Sequence, residues 1–330
     1  MPDREVVVIT GASAGIGRAA VREFARHKAR IALIAREPER LEAARAEAEQ
    51  LGAHAIAIAA DTADFAQVEA AAERTERELG PIDIWVNNAM VTMFAPFDQI
   101  APEDYRRVTD VTYHGFVWGT MAALKRMRPR NRGTIVQVSS ALSHRSIPLQ
   151  SPYCGAKHAV KGFTQSLRTE LEHDNSAVHL ALVDMPGVNT PQFEWCKTTL
   201  THHPKPVGTV YQPEVAARAI YWAAHARRAE ICVGYPTLGV VLAEKFVPRL
   251  LDRYLARTGI AGQQSPEPIP ADRPNNLWQP VPGPYAAQGS FGAHAWTRSP
   301  EFWATRNRAW LWAGVGLAGA VLGLRRLRRH

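Results

Sequence analysis

Val6-Val7-Val8-Ile9-Thr10-Gly11-Ala12-Ser13-Ala14-Gly15-Ile16-Gly17 passes from a β-branched run, through closely spaced glycines, into the helix-like Ile16–His27. That is a strand, a tight turn and a helix in immediate succession. The unit repeats along the chain. Arg30–Ala35, His54–Ala59, Ile82–Asn87, Thr134–Ser139 and Val178–Val183 are short apolar runs. Between them lie the helical stretches Glu39–Leu51, Asp64–Leu79, Glu103–Arg126 and Tyr153–Glu172. Strands that are apolar throughout need cover on both faces, so alternation with helices predicts a parallel sheet in a doubly wound α/β domain.

The pattern changes after residue 235. Leu238–Arg257 reads as one amphipathic helix, with Leu242, Phe246, Leu250, Leu251 and Leu255 on a stripe. Between Gly262 and Pro300 the chain holds Pro266, Pro268, Pro270, Pro274, Pro280, Pro282, Pro284 and Pro300, which excludes a regular helix or central strand. Three segments follow: a domain over 1–257, an extended arm or linker over 258–302, and a hydrophobic helix with a basic end over 303–330. Of 330 residues, 46% are hydrophobic and 21% charged, which excludes disordered, collagen-like and multi-span membrane classes. Cys154, Cys196 and Cys232 form no CxxC motif, and no signal peptide is read at the start, so a reducing, cytoplasmic compartment is expected. The net charge of +8 does not point to nucleic acid, because residues 301–330 carry six arginines against Glu301.

The glycine turn lets backbone N–H groups and a helix N-terminus face a pyrophosphate. At the end of the second strand an acid would accept bonds from adenosine ribose hydroxyls; here Ala35 stands there and Arg36 follows. A guanidinium suits a 2′-phosphate in charge and in its fork of donors, so the cofactor is read as NADP(H). Tyr153 and Lys157 sit four apart on one helical face, with Ser151 read as N-cap and Pro152 as the first helical residue. A free tyrosine has a pKa of about 10. An adjacent ammonium, a helix N-terminus and an oxidised nicotinamide would all favour the phenolate, making Tyr153 a proton donor or acceptor for a carbonyl/alcohol pair.

Over roughly residues 5–235 the chain resembles the short-chain dehydrogenase/reductase family in its compact one-domain Rossmann form. The resemblance rests on Thr10-Gly11-Ala12-Ser13-Ala14-Gly15-Ile16-Gly17, Asn87-Asn88-Ala89, Ser140 and Tyr153-Cys154-Gly155-Ala156-Lys157 in that order. It implies that Gly11, Ser13, Ala14, Gly15, Ile16 and Gly17 hold the cofactor phosphates. Asp61 and Thr62 would contact the adenine, and Asn88 and Ala89 the adenosine ribose. Pro186, Gly187, Val188 and Thr190 would meet the nicotinamide carboxamide, and Lys157 its ribose. Ser140, rather than its neighbour Ser139, would hold the substrate oxygen. A homo-oligomer is also expected.

Two positions depart from the family pattern. Met90 replaces a glycine after Asn88-Ala89 and would add an apolar wall. Thr112 stands where the family has an asparagine that supports a water-linked proton path; its hydroxyl can bond one water with less reach than an amide. The twelve histidines show no ligand spacing, so no metal is expected. Phe193, Trp195, Cys196 and Leu200 predict an apolar lid over the substrate. The leading expectation is a hydride-transfer oxidoreductase acting on an apolar carbonyl or alcohol. A nucleotide-binding scaffold with weak turnover and an epimerase or dehydratase using the same tyrosine stay open. Ala309–Leu324 is free of charge, but its 16 residues span only about 24 Å as a helix against a hydrocarbon core of about 30 Å. With Trp303, Trp310 and Trp312 at one end and Arg325, Arg326, Arg328 and Arg329 at the other, 303–330 is expected to attach to the cytoplasmic face of a membrane, or else to fill an oligomer interface.

Overall fold

The computed structural model describes residues 4–270, 272–308 and 310. The expected apolar tail helix lies almost wholly outside the described residues. Seven strands form one parallel sheet: β1 Val6–Thr10, β2 Arg30–Ala35, β3 His54–Ala59, β4 Ile84–Asn87, β5 Thr134–Ser140, β6 His179–Met185 and β7 Glu230–Cys232. Their order is β7-β6-β5-β4-β1-β2-β3. The winding reverses between β1 and β4, which opens a crevice above the carboxyl ends of these strands. β7 has only three residues and no periodicity to reveal it; pairing with β6 makes it a strand.

Alternation along the strands feeds two cores. Val7, Ile9, Ile31, Leu33, Val136 and Val183 face α1 (Gly15–Arg26), α2 (Pro38–Gln50) and α7 (Pro213–His225). Val8, Ile34, Trp85 and Ile135 face α3 (Phe65–Leu79), α5 (Gly115–Met127) and α6 (Ser151–His173). Glu37 caps α2 by accepting from the Glu39 and Arg40 amides, and Asp64 caps α3 from those of Ala66 and Gln67.

Three local expectations change. Glu103–Arg126 is not one regular helix: α4 (Pro102–Thr109) joins α5 through a wide π-turn at Asp110–His114. Leu238–Arg257 is two helices, α8 (Tyr235–Phe246) and α9 (Pro248–Thr258). They part at Val247, because a proline ring disfavours helical geometry in the residue before it. The N-cap of α6 is Gln150, so Ser151 and Pro152 fall inside the first turn and Ser151 caps nothing.

Residues 258–302 run back along the domain. Gln264–Pro268 pairs antiparallel with His202–Pro204, and Leu277, Ala287 and Phe302 are buried. Between them the chain crosses the crevice as a strap, and α10 (Pro300–Arg306) then packs Phe302 against Trp222 at a centroid distance of 5.8 Å. Among the described residues no helix is long and apolar enough to cross a membrane.

Candidate active site

A cavity of about 430 Å³ sits above β1, β4, β5 and β6. Its floor at one end is the glycine turn. Gly11 and Gly15 have φ of +68° and +57°, a region most side chains avoid. A Cβ on Gly17 would stand 2.1 Å from the Gly11 carbonyl oxygen, and one on Gly11 2.9 Å from Ala89 Cα. The turn is therefore a backbone surface with no room for side chains. Ser13, Ala14 and Ile16 complete this wall of the cavity. Thr10 Oγ ties the next wall to it, accepting from the amides of Asn88 at 2.9 Å and Ala89 at 3.0 Å. Asn88 Nδ2 donates back to the Thr10 carbonyl at 2.9 Å. Asn87 is buried below, donating to Gln137, Thr120 and the Phe116 carbonyl, so it holds β4 to α5 rather than facing the cavity.

Cations gather at the adjoining rim. Arg36, at the end of β2, donates to the carbonyls of Asn276 at 2.6 Å, Trp278 at 3.0 Å and Leu277 at 3.4 Å. Arg107 donates to Asp61 at 2.6 Å, and Arg40 lies 3.5 Å from Glu37. The two nearby carboxylates are thus each taken, and among the described residues the hydrogen bonds of Arg36 go to strap carbonyls, with Asp61 near enough to favour its charge. Burial, and next the Arg107 guanidinium, lower the Arg36 pKa from its usual value. Thr62 is buried below this rim, its hydroxyl close to Gly115. The Gly15 amide donates to Ala286 O at 3.0 Å, so the strap also touches the glycine turn. Arg40, Arg107 and the strap escaped the sequence reading. Arg40 lies in the first turn of the helix that follows Arg36, a local signal, whereas the strap contacts span about 240 positions and leave none.

Ser140, Tyr153 and Lys157 line the other end of the cavity. The first turn of α6 sets Tyr153 beside the end of β5, where Ser140 accepts from the Leu142 amide at 3.1 Å. Burial pushes the Tyr153 phenol well above its ordinary range, and the Ser140 hydroxyl partly opposes this. Lys157 is 2% exposed and donates to the Val138 carbonyl at 2.8 Å, with its Nζ 5.7 Å from the Tyr153 ring centroid. Burial pulls its ammonium down to about 7, against the opposing Asp184 carboxylate. Ser139, on the same strand end, has a buried hydroxyl with no hydrogen-bond partner among the described residues.

Thr112 sits in the π-turn. Its hydroxyl donates to Val91 O at 2.8 Å and accepts from Val91 N at 3.1 Å, so both backbone groups of Val91 occupy it. These two bonds clamp the Asn88–Val91 loop to the π-turn and leave one hydroxyl lone pair for any further contact. Pro186, Gly187, Val188 and Thr190 line the cavity after β6, and Gly187–Val188 pairs with Val210–Tyr211. Thr190 stands against Gly15, where an added Cβ would lie 3.3 Å from its methyl. Met90, Phe193 and Trp195 supply the apolar wall, joined by Val240, Leu251 and Leu255 from α8 and α9.

Outside the cavity, His144, Asp184 and Glu230 place ligand-type atoms within 4.8 Å of one another. The Lys161 ammonium lies 2.9 Å from His144 and 3.1 Å from Glu230, so a protein cation already stands among them.

The short chain dehydrogenase family profile matches residues 5–199. Uncharacterized oxidoreductase YxnA of Bacillus subtilis is 30% identical over 319 residues, 96% of this chain and 89% of its own. The 3-dehydrosphinganine reductase of Danio rerio is 29% identical over 222 residues, 65% of this chain and 66% of its own. A metagenomic short-chain oxidoreductase solved in complex with NADP superposes with a TM-score of 0.59 at 26% identity, covering 69% of this chain and 96% of that one. A short-chain dehydrogenase from Streptomyces avermitilis shares the fold, with a TM-score of 0.67 over 78% of this chain and 97% of that one at 22% identity. A profile match over more than half the chain and a relative aligned over nearly all of it agree with the sheet order and the glycine turn: the chain belongs to the short-chain dehydrogenase/reductase family of oxidoreductases.

Proposed function

We propose that the protein is an NADP(H)-dependent oxidoreductase that interconverts an apolar carbonyl compound and its alcohol. The observation that carries this is one cavity with the side-chain-free glycine turn and Arg36 at one end and Ser140, Tyr153 and Lys157 at the other. The fit to a dinucleotide rests on this chain's own atoms. A Cβ at Gly11 or Gly17 would fill the turn, and Arg36 is a cation whose partners are carbonyls rather than carboxylates. The neighbour with bound NADP supports the phosphate form of the cofactor.

NADP(H), when bound, supplies or accepts the hydride. Gly11, Ser13, Ala14, Gly15, Ile16 and Gly17 would seat its phosphates, Asp61 and Thr62 its adenine, and Asn88 and Ala89 the adenosine ribose. Arg36 would exchange strap carbonyls for the 2′-phosphate, with the strap moving aside at Ala286. Pro186, Gly187, Val188 and Thr190 would hold the nicotinamide end, and Lys157 the adjoining ribose. Ser140 would donate a hydrogen bond to the substrate oxygen and stabilise its developing charge. Tyr153 would deliver the proton to that oxygen in reduction and remove it in oxidation. Burial holds the free protein's Tyr153 as the protonated phenol, the form that carbonyl reduction requires. The apolar wall of Met90, Phe193 and Trp195 excludes water and suits a hydrocarbon-rich substrate. Relatives bearing the names 3-dehydrosphinganine reductase and 17-beta-hydroxysteroid dehydrogenase 13 are consistent with that class.

Oxidation of NADPH and NADH, followed against short and long aliphatic aldehydes and ketones, tests the reading. Turnover with NADPH and a long-chain carbonyl supports it. A second reading, nucleotide binding with little turnover, draws on the clamped Thr112 and on the strap at Arg36; it predicts NADPH binding without oxidation across the whole series.

A further inference from the structure

Helices α8 and α9 carry large apolar side chains outward. Tyr235, Leu238, Leu242 and Phe246 recur at i, i+3, i+7 and i+11 on α8, and Leu250 follows on α9; all five are exposed. No residue of α9 is buried. The same two helices turn Val240, Leu251 and Leu255 toward the cavity, with Tyr254 half in solvent at its mouth. The two helices therefore stand between the cavity and an outer side on which five large apolar side chains are exposed, an arrangement that marks an interaction surface rather than ordinary solvent-facing helix.

Charge identifies what covers it. Lys245, Arg249, Arg253 and Arg257 recur every fourth residue across the two helices. The acids on these helices, Glu244 and Asp252, are both held by Arg145, at 3.0 and 2.5 Å. Among the described residues, none of the four cations pairs with a carboxylate. An apolar stripe edged by unanswered cations complements anionic headgroups above an acyl layer. A second copy of this chain would bring like charges together across a two-fold axis and is disfavoured.

We propose that the α8–α9 face docks on an anionic lipid bilayer, so that an apolar carbonyl or alcohol reaches the cavity from the lipid. The docking stands on the surface alone; the delivery of substrate rests on the hydride-transfer reading above.

The test uses the full chain and vesicle flotation with phosphatidylcholine alone or mixed with phosphatidylglycerol. Two double variants, Phe246→Ser with Leu250→Ser and Arg249→Glu with Arg253→Glu, change exposed residues outside the cavity lining. NADPH oxidation with a short, water-soluble aldehyde should stay unchanged in both, which shows that the fold is intact. The parent should float with anionic vesicles, and charge reversal should weaken binding by roughly tenfold or more. The apolar variant should also lose binding. Flotation that neither variant reduces would overturn the docking, because another segment would then hold the membrane. So would variants that turn a dimer into a monomer while vesicle binding persists. Docking that holds while a long-chain substrate in vesicles gains no rate over the apolar variant would overturn delivery alone. No turnover of any carbonyl would sink the enzymatic reading and leave the docking result standing.

Discussion

Arg36→Ala separates the two phosphate forms of the cofactor in a way the structure makes quantitative. The guanidinium now spends its donors on three carbonyls of the strap, between 2.6 and 3.4 Å. Binding a 2′-phosphate trades those neutral acceptors for charged ones, so the net gain is smaller than the gross strength of the new contact. A hydrogen bond to a charged group contributes about 1.5–3 kcal/mol. Arg40 and Arg107 remain nearby and soften the loss, which places the effect near 2 kcal/mol, about thirtyfold in Kd. Loosening the strap affects both cofactors equally, so the readout is the ratio of the two affinities. Titration of tryptophan fluorescence with NADPH and with NADH, for parent and variant, gives it. The preference for NADPH should fall about thirtyfold. Equal weakening for both cofactors, or for neither, would refute the assignment of Arg36 to the 2′-phosphate.

Two further perturbations probe other parts of the site. Thr112→Val keeps the shape and removes both bonds to Val91, leaving two buried backbone groups unpaired; a stability loss of about 1–3 kcal/mol should appear as a lower midpoint in urea. No change would mean that the clamp is not needed to hold the Asn88–Val91 loop. Burial pulls the Lys157 ammonium down to about 7 in the free protein, so the neutral amine gains as the pH rises toward 8. Cofactor phosphates and ribose oxygens favour the ammonium, so NADPH binding should take up a proton at pH 8 and almost none below pH 6, where Lys157 is already charged, and affinity should fall as pH rises. Calorimetry in buffers of different ionisation enthalpy reads this uptake, which Lys157→Met should abolish.

The sheet and the two ends of the cavity were legible because their signals are local. β1, β2 and β3 were bounded correctly from apolar runs closed by turns, and the glycine turn announces itself through residues that only a crowded backbone requires. The four-residue spacing of Tyr153 and Lys157 already placed them on one face. What stayed hidden depends on partners distant in sequence. Nothing near Thr112 says that its hydroxyl will meet Val91. Nothing near Arg36 says that Asn276, Leu277 and Trp278 will supply its acceptors. The prolines of 258–302 argue against a long helix or central strand, and the short edge pairing of Gln264–Pro268 is compatible with that, but composition carries no information about where such a segment lies. The break between α8 and α9 was readable from Pro248, yet the longer apolar stripe outweighed it.

Tyr153→Phe tests the central claim most directly, because it removes one transferable proton and leaves the ring in its buried place. NADPH affinity and NADPH oxidation with a reducible carbonyl, measured on the same preparation, should part company: binding unchanged, turnover lower by about a hundredfold to ten-thousandfold. A variant that binds NADPH and keeps most of its turnover would contradict the account, since Tyr153 could not then be the group that protonates the substrate oxygen.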